Sequence, residues 1–170
     1  MRGYLTSIPE GDAGTYRTLD LMRAMARRAS AEPVVRQAAA SAVRSYPGDG
    51  GTHHARLLNR WITERTYFLP DPLYIEALHE PALLLQQILT RGTVGVDCDD
   101  VAILAAAMGL SIGLRARFLI AGFTSPNAPF RHVWTELAGV HSGVWVPVDP
   151  TRPVQALANL PVSRLHAVEV

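Results

Sequence analysis

Val96-Asp97-Cys98-Asp99-Asp100-Val101-Ala102-Ile103-Leu104-Ala105-Ala106-Ala107-Met108-Gly109 is the stretch that decides how this chain folds. Asp97 is a residue type that caps helix N-termini, and it stands directly before a run of good helix formers. The spacing predicts a helix from about residue 98 to 108, ended by Gly109. The run is apolar nearly all round, which suits a helix passing through the core rather than one lying on the surface. Cys98 occupies its first position, so whatever the thiol does, it does at a helix N-terminus.

Upstream of this segment the pattern is helical. Leu19, Met22, Met25 and Ala26 recur at helical spacing within 16–28, and Pro33 suits the first turn of a second helix reaching about residue 45. Pro47-Gly48-Asp49-Gly50-Gly51 breaks the chain, and a third helix is expected over 52–66. Leu69-Pro70-Asp71-Pro72 reads as extended or turn, and Pro81 opens a leucine-rich helix over 82–89. Downstream, residues 115–121, 132–138 and 144–148 are strand-like. Helices first and strands later predict an α+β fold with an antiparallel sheet.

A chain of 170 residues that is 48% hydrophobic is expected to form a single domain over 1–170. Within it we expect a helical N-terminal extension over 1–50, a core over 60–151 and a C-terminal tail over 152–170. The break at 47–51 is the best internal boundary, but the short helices before it bury too little to stand alone. With 18% charged residues and a formal net charge of +1, no global field draws the chain to nucleic acid or an acidic membrane, and neither is expected as a partner. There is no apolar run of about 18 residues and no leader pattern in residues 1–10, so a soluble protein is expected.

Cys98 is the only cysteine, which excludes an internal disulfide and a four-cysteine zinc site. His53-His54 lacks regular zinc-ligand spacing, and the Gly92 to Gly95 stretch lacks the Gly-Lys-Ser/Thr ending of a phosphate loop. No metal and no cofactor are expected.

A lone cysteine is ordinarily a small buried hydrophobe. A nucleophilic one needs a lowered pKa, a general base and a group to orient that base. The helix N-terminus favours a thiolate at Cys98 and offers backbone N–H groups to an oxyanion. Asp97, Asp99 and Asp100 oppose this unless they turn away to cap the helix or bond to loops. His132 opens the strand His132-Val133-Trp134-Thr135-Glu136, and Asp149 ends Trp145-Val146-Pro147-Val148-Asp149. Joined as an antiparallel hairpin through the turn between Gly139 and Gly143, the two strands make His132 and Asp149 cross-strand neighbours.

These stretches, with Arg115-Ala116-Arg117-Phe118 and Pro150-Thr151, resemble the core of the transglutaminase-like superfamily over roughly residues 60–151. Tyr67 to Asp71 with Glu76 and Pro81 are similar to bacterial and bacteriophage members of the cysteine-protease type. The resemblance implies a papain-like fold and a catalytic order Cys, His, Asp falling on Cys98, His132 and Asp149. It further implies acyl transfer on protein or peptide amides by hydrolysis, deamidation or transamidation. Phage structural proteins are then candidate partners, and the bacterial cytoplasm or a virion the expected location. The alternative is a non-catalytic virion or assembly protein that keeps the fold as a protein-binding module. Val96 stands where relatives often have glycine.

All sixteen basic residues are arginine. A GC-rich genome explains this, as would an enzyme that links glutamine to lysine and avoids carrying its own acceptor. Gln86 and Gln87 read as solvated positions, with an oxyanion donor as the sharper reading. Trp134, Trp145, Trp61, Tyr67 and Tyr74 read as core, with a cleft wall as the alternative. His79, His141 and His166 have no partner that the sequence names.

Overall fold

The computed structural model describes residues 10–47, 50–71, 77–151 and 161–170. Tyr74 and Glu76 lie outside the described residues. Five helices are described: α1 (Asp12–Ser30), α2 (Pro33–Val43), α3 (Gly51–Thr63), α4 (Pro81–Arg91) and α5 (Cys98–Ser111). The strands are β1 (Thr66–Phe68), β2 (Val94–Val96), β3 (Arg115–Gly122), β4 (His132–Ala138), β5 (Val146–Val148) and β6 (Arg164–Glu169). β5, β4, β3 and β6 form an antiparallel sheet in that order, and β1 pairs in parallel with β2. The fold is α+β, as the order of elements predicts.

α5 is the axis of the molecule. It touches each of α1 to α4 and also β3 and β4, and every residue from Asp100 to Gly109 is buried. Val133 and Leu137 of β4 join Phe118 and Ile120 of β3 in the core around α5. Between them Thr135 is buried, and its hydroxyl donates to the Ala102 carbonyl at 2.7 Å. A buried hydroxyl left unbonded would be costly, so this bond pins the height of β4 against α5. The opposite face of the sheet carries a smaller cluster of Leu119, Ala121 and Trp134.

The helix does not stop at Gly109. Gly109 lies inside it because a Cβ there would come within 2.5 Å of Leu137 Cδ2, so the missing side chain serves close packing. The stop comes at Gly113, whose φ of 81° is left-handed, with the Leu114 N–H returning to the Gly109 carbonyl at 3.0 Å. Other boundaries shift as well. The third helix ends at Thr63 and Thr66 already belongs to β1, and the third predicted strand is only Val146–Val148. The expected C-terminal tail contributes β6, which pairs with β3 from Arg117↔Glu169 to Gly122↔Arg164. Val96 is buried in β2 opposite Phe68, a place where a β-branched side chain fits better than glycine. No helix among the described residues is long and apolar enough to cross a membrane.

Candidate active site

Cys98 begins α5, and the cap before it is the predicted one: Asp97 has extended φ/ψ, and its side chain accepts from the Asp100 N–H at 3.3 Å. His132 begins β4 at the end of the sheet, opposite Ala121. The β4–β5 ladder runs from Leu137↔Val146 to Thr135↔Val148. One step further, Asp149 falls level with Trp134 and diagonal to His132, within reach of a long side chain. His132 Nε2 lies 2.5 Å from Asp149 Oδ2, and both residues are buried. The hairpin argument therefore brings this pair within hydrogen-bond reach, two residues off direct opposition.

The pair is held from both sides. The other carboxylate oxygen of Asp149 accepts from the Thr151 N–H at 3.0 Å and from the Thr151 hydroxyl. The imidazole stacks on Trp134 at 5.8 Å between centroids. With Nε2 facing Asp149, Nδ1 is the ring nitrogen left for other chemistry. In the sequence Thr151 stands out only as the end of the Asp149-Pro150-Thr151 stretch that carries the family resemblance.

Cys98 and His132 line one cavity of about 460 Å³, with Asp97, Asp99, Ile120, Phe130, Arg131 and Val133. Its remaining wall is α1, through Gly11, Gly14, Thr15, Thr18, Leu19 and Met22. The sequence assigned these residues to an N-terminal extension. Nothing in their own pattern says that they face a thiol.

The electrostatics at Cys98 run against expectation. Its thiol donates to Asp99 Oδ1 at 3.4 Å, so Asp99 does not turn away. Burial, and next the charge of Asp99, push the Cys98 thiol well above the ordinary thiol range, with Asp97 adding to the rise. A hydrogen bond from the Val133 backbone pulls the other way without prevailing. Cys98 therefore rests as a neutral thiol, in place of the lowered pKa that the helix N-terminus suggested. Iodoacetamide should accordingly alkylate Cys98 at pH 7 more slowly than a free thiol of pKa about 8.5, with the rate still climbing above pH 9. Asp99→Asn removes a charge that stabilises the protonated form, and should speed alkylation several-fold. Faster reaction than a free thiol at pH 6 would contradict this account.

Asp100 has a different task. It is buried, and its two oxygens take the His79 N–H and His79 Nδ1, each at 2.8 Å. Burial raises its pKa, and the bonds from His79 act in the opposite direction. This pair ties the segment before α4 to the first turn of α5, and it supplies the partner of His79 that the sequence did not show. Asp100→Ala leaves those donors without their acceptor and should cost about 1–3 kcal/mol in urea unfolding. A loss under about 0.5 kcal/mol would mean that the tie is dispensable.

The other candidates lie elsewhere. Gln86 and Gln87 sit on α4 and do not line the cavity. Trp134 belongs to the second core cluster, while Trp145 is covered by the guanidinium groups of Arg115 and Arg117 at 4.9 and 4.3 Å. Tyr67 is 56% exposed, contrary to the core reading. His53 stacks on Tyr46, His54 bonds the Tyr46 carbonyl, and His166 packs edge-on against Tyr16.

No curated protein matches the chain. The family model of the transglutaminase-like superfamily matches residues 36–150, a span that begins in α2 and takes in Cys98, His132 and Asp149. By that match and by its α+β architecture around the Cys98 helix, this chain belongs to the transglutaminase-like superfamily.

Proposed function

We propose that this domain transfers acyl groups from protein or peptide amides through Cys98, with His132 as general base and acid and Asp149 as the group that orients it. The observation that supports this most is the buried His132–Asp149 pair at 2.5 Å, placed at the cavity that also holds Cys98 at a helix N-terminus.

In this reading His132 Nδ1 takes the thiol proton as the sulfur attacks the carbonyl carbon. The C=O electron pair moves onto oxygen, and backbone N–H groups at the start of α5 stabilise the oxyanion. The intermediate collapses, the C–N bond breaks, and the imidazolium gives its proton to the leaving amine. Water or a second amine then attacks the thioester, assisted by His132. Asp149 keeps the proton on Nε2, so that Nδ1 is the basic nitrogen, and it stabilises the imidazolium. Because Cys98 rests as a neutral thiol, proton removal belongs to the reaction coordinate rather than to a standing thiolate–imidazolium pair.

The test is to incubate the protein with glutamine-containing peptides and a labelled primary amine, reading ammonia release, amine incorporation and peptide cleavage together. Any of the three outputs that disappears in Cys98→Ala supports the reading and names the acyl acceptor. Outputs at equal levels in Cys98→Ala exclude it.

A second reading is a non-catalytic protein-binding module, with phage assembly as one setting. The raised thiol pKa and the Asp99 contact are the observations in its favour. The buried Asp149, bonded to both His132 and Thr151, stands against it, since a module that only docks has no use for an oriented imidazole at the cavity that Cys98 also lines.

A further inference from the structure

The α1 wall of the cavity lies ahead of the segment matched by the superfamily, which begins at residue 36. It is held in place by more than core packing. Asp12, in the first turn of α1, makes a two-pronged ion pair with Arg164 of β6, at 3.0 Å to Nη1 and 2.5 Å to Nη2. Arg164 also donates to the Ala128 carbonyl, and its guanidinium lies 4.1 Å over the Phe130 ring. Tyr16, one turn on, meets Phe130 and His166 edge to face at 6.4 and 5.4 Å. Phe130 and Arg131 lead directly into His132. The clamp therefore fixes α1 against the loop that delivers the imidazole, at the rim of the cavity holding Cys98.

The α1 residues on that rim are small: Gly11, Gly14, Thr15 and Thr18 precede Leu19 and Met22 deeper in. A cavity of about 460 Å³ between α1 and the loop has room for more than one side chain, the size a short peptide segment needs.

We propose that the first two turns of α1, held by the Asp12–Arg164 clamp, form the selecting wall of the acyl-donor site, with Gly14, Thr15 and Thr18 setting how wide a peptide segment reaches Cys98. This rests on the acyl-transfer reading, but its consequence is steric and can be read without turnover.

The experiment compares two alkylators of Cys98 at pH 9, iodoacetamide and a chloroacetamide carried on a capped tripeptide, in the full chain. Each variant's rates are normalised to wild type. Thr18→Leu fills the wall and should slow the peptide reagent about tenfold while leaving iodoacetamide within about twofold. Arg164→Gln releases the clamp and should move the ratio the other way, favouring the peptide reagent. Circular dichroism confirms that each variant is folded, and the two variants do not share a failure mode. A ratio that stays at wild type in both overturns the proposal, as does a slowing shared equally by both reagents in Thr18→Leu without a change in Arg164→Gln. Activity that survives Cys98→Ala would instead strike the acyl-transfer reading, leaving the reagent ratio to be judged separately.

Discussion

On the proposed acyl-transfer reading, Asp149→Asn should slow amide turnover by about two to four orders of magnitude while the thermal unfolding transition barely moves. An asparagine keeps the volume, and its carbonyl oxygen still accepts from Thr151 as Asp149 Oδ1 does. What changes is the other arm, where an NH₂ group now faces His132 Nε2. That nitrogen must then act as acceptor, and the proton of the neutral ring shifts to Nδ1, the position that has to receive the thiol proton. The imidazolium also loses the negative charge 2.5 Å away. His132→Ala should cost at least as much, because neither the thiol nor the leaving amine has a proton partner. The double variant should be no worse than His132→Ala alone, since Asp149 acts through the ring. Losses that multiply would show two independent contributions and sink the proposed relay, even with Cys98 shown to be reactive.

Phe118→Ala should destabilise the protein by about 3–5 kcal/mol, measured by urea unfolding. Phe118 is the largest fully buried side chain among the described residues, it lies mid-way along β3, and it packs in the cluster that surrounds α5. Its removal leaves a cavity between sheet and helix that flanking strands paired on both sides cannot readily close. Against a typical total of about 5–15 kcal/mol this is a large fraction. The expected pattern separates the two variants: Phe118→Ala lowers the unfolding midpoint, and what remains folded keeps its turnover per molecule, whereas Asp149→Asn does the reverse. A loss below about 1 kcal/mol for Phe118→Ala would mean that the sheet collapses onto α5 more easily than its pairing suggests.

The parts of the molecule that local chemistry writes into the sequence could be read there. α5 announces itself by a cap and an unbroken apolar run, and the β4–β5 hairpin by two strand patterns around a glycine turn, which together put Cys98 at a helix start and His132 close to Asp149. What escaped depends on residues far apart in the chain. β1 and β2 are three-residue strands paired in parallel, and nothing in Thr66-Tyr67-Phe68 points to Val94-Gly95-Val96. β6 is mostly exposed and looks like a tail until β3 offers it an edge. The thiol pKa was misjudged because a helix N-terminus is visible in sequence, whereas burial and the direction of the Asp99 side chain are not. The His79–Asp100 tie and the α1 wall were missed for the same reason, since each is a meeting of elements that only the folded chain brings together.

The Asp12–Arg164 contact spans 152 positions of the chain. Cys98, His132 and Asp149 all precede Arg164 in the chain, so a chain cut short of residue 164 carries all three but lacks the partner of Asp12. Without residues 164–169, α1 loses the ion pair at its first turn, and β3 has an open edge where β6 would sit. In such a chain the proposed nucleophile, base and orienting acid would share a cleft whose rim is unfinished. On these proposals, cutting the chain before residue 164 would loosen what the cleft admits while leaving Cys98, His132 and Asp149 in place.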